Sequence, residues 1–277
     1  MNKFLKTRGL AAALVLAAIF AAGGQTALFA KGRQAAKTPV AEQRNEDVTI
    51  LAAAAASLKN AYDQELIPQF QAKYPWIKVS GTYDSSGKLQ TQIENGLHAD
   101  VFMSAAVKQM DALVAGGYIE KGAVDYLLQN KLVLIKPAGA STAVGGFADV
   151  TKAKTVAIGD PKSVPAGQYA EEALKKLGVW DKLPETSKSL GTNVTEVLSW
   201  VGNGSAEVGI VYATDAASTD KVTVIETLAE GILSAPVIYP VAVLKNAPNP
   251  EAAKLFVDFL ASDSGLAVFQ KYGFSRN

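Results

Sequence analysis

Hydrophobic and polar positions follow two different patterns along residues 47–277. A short β-rich run lies at Val48–Ala52. In the next stretch, Ser57–Tyr74, apolar side chains recur every four residues from Leu58 to Phe70, which places them on one face of a helix. The same patterns predict further strands over 77–83, 100–104, 132–136, 155–158, 208–212 and 237–244. They predict further helices over 88–95, 106–115, 166–177, 194–201, 250–261 and 265–272.

Strands and helices therefore alternate through this region. Such alternation is typical of an α/β fold, and we expect its sheets to be parallel. In open α/β sheets, ligands bind beyond the carboxyl ends of the strands, where helices begin. The strand-to-helix turns are therefore the places where a binding site is expected.

The N-terminal segment has the layout of a secretory signal peptide. Basic residues up to Arg8 precede an apolar run from Gly9 to Ala22, and small residues follow. The run is shorter than the roughly 20 apolar residues that a membrane-spanning helix needs. We predict a signal peptide within residues 1–30, with its cleavage position open, and a polar, flexible leader over residues 31–46. An uncleaved membrane anchor is the alternative.

Composition favours a globular protein and gives no sign of a nucleic-acid partner. Hydrophobic residues make up 49% and charged residues 19% of the 277 residues, and the net charge is +1. Residues 1–46 hold seven of the 27 Lys and Arg residues and two of the 26 Asp and Glu residues. The remainder therefore carries about −4, with no basic patch of the kind that binds nucleic acid. An anionic ligand would have to be held by local donors.

Two residue types that often carry chemistry are almost missing from the sequence. There is no cysteine, which excludes disulfides, thiolate metal sites, a cysteine nucleophile and a lipoprotein cysteine. His98 is the only histidine, so paired-histidine metal sites are excluded as well. We therefore expect no cation site, no cofactor and no catalytic residues. A serine enzyme remains a weak alternative, because no G-x-S-x-G sequence surrounds Ser57 or Ser86 and a Ser86–Lys88 pair would not share a helix face.

The first two turns offer serine hydroxyl groups. Ser57 follows a run of alanines and suits the N-cap of its helix, where further amide N–H groups remain unpaired. Ser86 and Gly87 lie in the second turn, where a hydroxyl and exposed amides could meet an oxyanion. Lys88 is expected to point to solvent. An ordinary capped helix is the alternative for both turns.

The next two turns offer backbone amides and a phenol. Pro165 suits a first helical turn and leaves the amides of Ala166 and its neighbour Gly167 accessible. Residues 193–196 fit a capping box around Val194. The strand 208–212 ends at Tyr212, which could donate to a ligand or be an interface aromatic with its hydroxyl in water. Together the four turns describe a site of hydroxyls and amides, which suits a fully dehydrated dianion.

At this point the chain resembles a known family, the molybdate-binding proteins of bacterial ABC importers (ModA family). The resemblance covers about residues 47–274. Its most specific segments are AAAAASLKNA (52–61), SSGKLQTQIENG (85–96), ADVFMSA (99–105), GDPKSVPAGQYAEEALKKLG (159–178), GIVYATDA (209–216), YPVAVLKN (239–246) and QKYGF (270–274).

The resemblance implies a two-lobe type II periplasmic-binding-protein fold, with the ligand in a cleft between lobes joined by a two-segment hinge. Lobe one would comprise residues 47–131 plus 238–277, and lobe two residues 132–237. The family's ligand contacts fall on five positions of this chain, Ser57, Ser86, Ala166, Val194 and Tyr212. The resemblance further implies an exported monomer that binds molybdate or tungstate and delivers it to the membrane permease of an ABC importer.

Other ligands of the same class stay open. Sulfate has the charge and shape of molybdate but is smaller, so cavity size would decide between them. Phosphate near neutral pH carries a proton and needs an acceptor in its site. Asp84 and Asp160 are the only carboxylates close to the four turns, and we expect both to lie outside direct contact with the ligand. An adhesion or structural protein is disfavoured because the chain is neither repetitive nor β-rich.

Overall fold

The computed structural model describes residues 47–277, so the predicted signal peptide and leader lie outside the described residues. Within that part of the chain, eleven strands form two mixed sheets. The first sheet has the order β11-β4-β10-β3-β1-β2, and the second has the order β7-β6-β8-β5-β9. The strands are β1 (Val48–Ala55), β2 (Ile77–Asp84), β3 (Val101–Met103), β4 (Asp125–Asn130), β5 (Leu132–Pro137), β6 (Val156–Gly159), β7 (Lys188–Gly191), β8 (Val208–Tyr212), β9 (Val222–Thr227), β10 (Val237–Val243) and β11 (Ser275–Arg276).

Helices cover the sheets, and most of them were predicted from apolar periodicity to within two residues at each end. The α-helices are α1 (Lys59–Ala61), α2 (Ile67–Lys73), α3 (Ser86–Glu94), α4 (Val107–Ala115), α5 (Pro165–Lys176), α6 (Val194–Gly202), α7 (Ala213–Ala217), α8 (Pro250–Ala261) and α9 (Asp263–Lys271). No helix within residues 47–277 is long and apolar enough to span a bilayer.

The expectation of purely parallel sheets is wrong. β1 pairs in parallel with β2 and β3, but β10 runs antiparallel to both β3 and β4. In the second sheet β5 is antiparallel to β8 and β9. Parallel neighbours need a crossover connection within one sheet. β5 and β10 instead enter directly from the other sheet, which leaves them free to run in the opposite direction.

The chain passes between the two sheets twice. Lys131 alone separates β4 in the first sheet from β5 in the second, and residues 228–236 lead from β9 back to β10. β11 pairs with β4 close to the first passage, with Ser275 opposite Gln129. The C-terminal Asn277 donates its backbone N–H to the Leu127 carbonyl and its side-chain amide to the Tyr126 carbonyl.

Four strands, β4, β7, β9 and β11, were not predicted because they lack apolar alternation or are very short. β7 and β9 form the two edges of the second sheet, and β9 is mostly exposed along its length. β11, which has two residues, forms an edge of the first sheet. β4 lies inside that sheet but begins with the exposed residues Asp125 and Tyr126. Edge strands have one unpaired side and little to bury, so their sequences carry no strong hydrophobic pattern.

The first sheet is buried on both faces. Ala52 and Ala54 contact a core that includes Phe70 and Phe256, whose ring centroids lie 4.9 Å apart in an edge-on arrangement. Ala53 belongs to a second cluster on the opposite face. Successive side chains of a strand point to opposite faces, so the alanine run lets helices pack closely on both sides of β1.

The helical segment after β1 changes its winding along its length. A 3₁₀ turn at Ala56–Leu58 leads into α1, a π-helical stretch spans Tyr62–Leu66, and α2 follows. Pro68 explains the π-helical stretch, because it has no N–H to donate and its ring crowds the carbonyl four residues earlier. The predicted helix over Ser57–Tyr74 is therefore present but is not a uniform α-helix.

Candidate functional site

Ser57 lies in the first helical turn after β1, not at its N-cap. Ala55 is the capping residue, and no side chain there satisfies the helix amides. The Ser57 hydroxyl instead lies 2.9 Å from the hydroxyl of Tyr239 on β10. The prediction of a Ser57 N-cap is wrong because the helix begins one residue earlier, which turns the Ser57 side chain toward β10.

Ser86 is the first residue of α3 and is fully buried. The helix begins two residues earlier than predicted, at the end of β2. The Ser86 hydroxyl oxygen accepts a hydrogen bond from the Ala105 backbone N–H at 2.9 Å. One lone pair of that oxygen is therefore occupied, while the hydroxyl proton can still be donated.

Ala166 is buried in the first turn of α5, and Pro165 begins that helix as predicted. The next residue, Gly167, packs against β6. A Cβ atom at Gly167 would lie 1.9 Å from the Gly159 carbonyl oxygen, so the position accepts only glycine. The close approach fixes the N-terminus of α5 against the end of β6, with its first-turn amides free of intrahelical partners.

Val194 is the first residue of α6 and is buried. The predicted cap is present in part, because Asn193 Oδ1 accepts from the Glu196 N–H at 3.0 Å. The return bond differs from the predicted capping box. The Glu196 carboxylate accepts from the N–H of Thr192, at 2.6 Å, rather than from that of Asn193.

Tyr212 ends β8 as predicted, but its hydroxyl does not lie in water. The side chain is 1% exposed, and the hydroxyl donates to the Ala105 carbonyl at 3.4 Å. Ala105 follows β3 of the first sheet and also donates its N–H to Ser86. Tyr212 and Ser86 therefore meet at one residue although they come from different sheets.

Further hydrogen bonds join the turns of the two sheets. The Gly87 N–H donates to the Ser163 carbonyl at 2.9 Å, just before α5. Asn193 Nδ2 donates to Asp84 Oδ1 at 3.2 Å, and α6 packs against the turn that contains Ser57. The structure thus brings the four predicted turns together between the sheets.

The charged residues near these turns are bound to protein groups. Lys88 forms an ion pair with Asp84 at 3.5 Å, and its side chain is 38% exposed. Asp84 also accepts from the Ser85 N–H, and Asp160 accepts from the Lys162 N–H. Within residues 47–277 no group of three or more His, Cys, Asp and Glu side chains is arranged to hold a metal ion.

Tyr239, Asn130 and Thr214 lie beside the predicted residues and were missed. Tyr239 and Asn130 are buried, and Asn130 Nδ2 donates to Thr214 Oγ1 at 2.9 Å and to Tyr239 Oη at 3.3 Å. Tyr239 lies in an apolar strand pattern that gave no reason to assign its hydroxyl a role. The segment YPVAVLKN, which carries part of the family resemblance, was the one available signal.

The electrostatics of this region rest on neutral donors. Burial is the main cause that raises the pKa of both Tyr212 and Tyr239 well above the ordinary value, so both hydroxyls keep their protons at neutral pH. Asp215 is buried and accepts from the Tyr212 N–H at 3.1 Å. Burial raises the pKa of its carboxyl to about 7. The residues that converge here offer hydroxyl and amide protons, a set suited to an anion.

Comparisons with known proteins agree on one family. Residues 50–275 match the family described as "Bacterial extracellular solute-binding protein". The molybdate-binding protein ModA of Escherichia coli is 37% identical over 80% of this chain and 87% of its own length. A Bacillus subtilis protein named "Putative ABC transporter substrate-binding lipoprotein YvgL" is 37% identical over 82% of this chain and 86% of its own.

The fold agrees with a solved member of this class. The periplasmic molybdate-binding protein of Azotobacter vinelandii superposes with a TM-score of 0.70 over 81% of this chain and 98% of the other, at 23% identity. The expected two-lobe type II periplasmic-binding-protein fold is confirmed.

We predict that Asp215 makes stability fall as pH rises. Its folded-state pKa of about 7 exceeds the ordinary value of 3.8, so the protonated carboxyl stabilises the fold below about pH 4 and this contribution is lost as pH rises through about 7. Asp215→Asn mimics the protonated form. At pH 8 it should increase the free energy of unfolding by on the order of a few kcal/mol and raise the melting temperature accordingly, and at pH 4.5 both increases should be much smaller. Thermal melts of both proteins test this. A stability difference independent of pH would contradict it, since all other carboxyls are common to both.

Proposed function

Because the chain belongs to the bacterial extracellular solute-binding proteins, and among them to the ModA family of ABC substrate-binding proteins, we propose that it captures molybdate and tungstate and delivers them to the membrane permease of an ABC importer. Members of this family are transport components and not enzymes, and their ligand is cargo rather than a cofactor.

The observation that carries the proposal is the convergence of neutral donors between the two sheets. We propose that Ser57 and Ser86 donate hydroxyl protons to the oxyanion. Tyr212 would donate as well, by redirecting the proton that it gives to the Ala105 carbonyl in this structure. The backbone amides at Ala166 and Val194 would complete the site, together with those of the two serines. Helix N-termini carry a partial positive charge, so these groups can stabilise a dianion without a lysine or arginine.

A site without a carboxylate favours an anion that carries no proton. One lone pair of the Ser86 oxygen already accepts from Ala105, and Asp84 Oδ1 is engaged by Ser85, Lys88 and Asn193. The five proposed contacts offer a protonated phosphate no carboxylate, only the remaining lone pairs of hydroxyl oxygens. A phosphate donor left without an acceptor would cost about 1–3 kcal/mol. Sulfate carries no proton at neutral pH and remains the alternative ligand.

We propose that lobe one comprises residues 47–131 plus 238–277 and that lobe two comprises residues 132–237. Sheet membership supports these limits, because β1–β4, β10 and β11 share one sheet and β5–β9 share the other. The passages at Lys131 and 228–236 would then form a hinge about which the lobes close on the ligand.

The proposed place of action is outside the cytoplasm. The matched family is described as extracellular, and a signal peptide within residues 1–30 with a leader over residues 31–46 would supply export. A Bacillus relative carries a lipoprotein name, but this chain has no cysteine for a lipid anchor of that kind. We propose that the protein acts as a periplasmic or otherwise exported monomer.

Calorimetric titration with molybdate tests the proposal directly. We expect tight one-to-one binding that a large excess of sulfate does not displace, and similar behaviour with tungstate. Sulfate or phosphate binding without any heat from molybdate would move the protein to another oxyanion importer. Gel filtration coupled to light scattering would check the monomeric state in the same samples.

We predict that Ser57→Ala and Ser86→Ala each weaken molybdate binding by roughly ten- to a hundredfold. Each variant loses a hydrogen bond to a charged acceptor, which contributes about 1.5–3 kcal/mol. Lys88→Ala is the matched control and should change the affinity little, because its ammonium group is paired with Asp84. Wild-type affinity in both serine variants, or a large loss in the lysine variant, would overturn the site assignment.

We predict that Gly87→Ala hinders closure of the lobes. A Cβ atom there would lie 2.4 Å from the Ser163 carbonyl oxygen across the cleft, so the backbone must move apart. Small-angle scattering should show that molybdate decreases the radius of gyration less in this variant than in wild type. Gly145→Ala is the control, since its Cβ would meet only the Asp149 side chain, at 3.2 Å. Equal contraction in Gly87→Ala and wild type would contradict the prediction.

A further inference from the structure

A line of hydrogen bonds reaches Ser57 from residues outside the five proposed ligand contacts. Tyr239 Oη lies 2.9 Å from Ser57 Oγ, and Asn130 Nδ2 lies 3.3 Å from the same Tyr239 oxygen. All of Tyr239 and nearly all of Asn130 are buried. Water therefore does not set the orientation of these groups, and their partners must do so.

The contacts of Asn130 determine which group donates and which accepts in this series of hydrogen bonds. The backbone N–H of Lys131 donates to Asn130 Oδ1 at 2.9 Å. A backbone N–H can only donate, so the side-chain atom that it meets is the carbonyl oxygen. The other atom, Nδ2, is therefore the amide nitrogen, and it donates to both Thr214 Oγ1 and Tyr239 Oη.

The direction continues through Tyr239. Its oxygen accepts from Asn130, which has no lone pair to offer in return. Two hydroxyl oxygens near Tyr239 can accept its phenolic proton, Ser57 Oγ and Tyr212 Oη, and we assign the proton to Ser57, which lies 2.9 Å away in good hydrogen-bond geometry. Tyr239 then donates to Ser57 Oγ, and the Ser57 proton is left to point elsewhere.

We propose that Asn130 and Tyr239 are positioning residues that hold the Ser57 hydroxyl as a donor toward the bound oxyanion. The inference rests on the proposed function, in which Ser57 contacts that anion. With one of its two lone pairs occupied, the Ser57 oxygen is a weaker acceptor for a proton of the ligand, so the two residues also disfavour anions that carry one. The Ala105 N–H has the same effect on Ser86.

The position of this line links it to the passages between the sheets. Asn130 is the last residue of β4, immediately before Lys131, and Tyr239 lies near the start of β10. Thr214, the third partner, belongs to α7, which follows the second-sheet strand β8. The orientation of Ser57 is therefore set where the chain passes from one sheet to the other.

A double-mutant cycle tests the inference with molybdate as the probe. Tyr239→Phe removes only the hydroxyl and should weaken molybdate binding about three- to tenfold. In a Ser57→Ala background the same change should have almost no effect, because the hydroxyl that it orients is gone. Tyr62→Phe is the matched control, since Tyr62 is also fully buried and its hydroxyl donates to the Met103 sulfur, away from Ser57.

A second measurement, the affinity for phosphate, distinguishes a positioning role of Tyr239 from a merely structural one. In Tyr239→Phe the Ser57 oxygen regains its second free lone pair, so phosphate binding should weaken less than molybdate binding. The ratio of molybdate affinity to phosphate affinity should therefore decrease. Tyr62→Phe should leave both the affinity and the ratio unchanged.

The outcomes distinguish this inference from the function on which it rests. Equal losses from Tyr239→Phe in the wild-type and Ser57→Ala backgrounds would overturn the positioning role while molybdate binding by wild type stood. If wild type binds sulfate and not molybdate, the proposed cargo is wrong, and the same cycle measured with sulfate decides the positioning role. Binding of neither anion by wild type would overturn both.

Discussion

A dianion can be buried only if many dipoles point at it, and this requirement determines how the two sheets meet in the proposed site. Helices α3, α5 and α6 begin at one place, each with first-turn amides that lack partners inside the helix. Helix ends can approach so closely only where side chains are absent. Gly87 and Gly167 meet that condition, because a Cβ at either would overlap a carbonyl oxygen. Missing side chains are thus as necessary to the arrangement as the hydroxyl groups.

Local signals in the sequence predicted much of this region. Pro165 begins α5 and Asn193 caps α6 because a first-turn proline and a capping side chain act within one helical turn. Apolar periodicity predicted most helices and the buried strands for the same reason. The edge strands β7 and β9 were not predictable in this way, since they bury little and their pairing is decided by the rest of the sheet.

The contacts that orient the proposed donors could not be predicted from the sequence. Ser57 and Tyr239 are 182 positions apart, and nothing local to either residue indicates the other. The same distance in sequence explains why Ser57 appeared to be a helix cap. A serine after a strand is often one, and only the return of β10 provides the competing partner. The family resemblance predicted which residues gather, but the way their protons are directed required the packed structure.

The pairing of β11 with β4 has a consequence of another kind. β11 extends the first sheet beside β4, and Asn277 is hydrogen-bonded to the backbone of that strand within a few residues of Lys131. These hydrogen bonds hold Asn277 beside the proposed hinge. A dye attached at Asn277 would sit next to the proposed pivot, where rotation of the proposed lobes would displace it least. A distance sensor for this protein should accordingly carry its labels at the rims of the lobes.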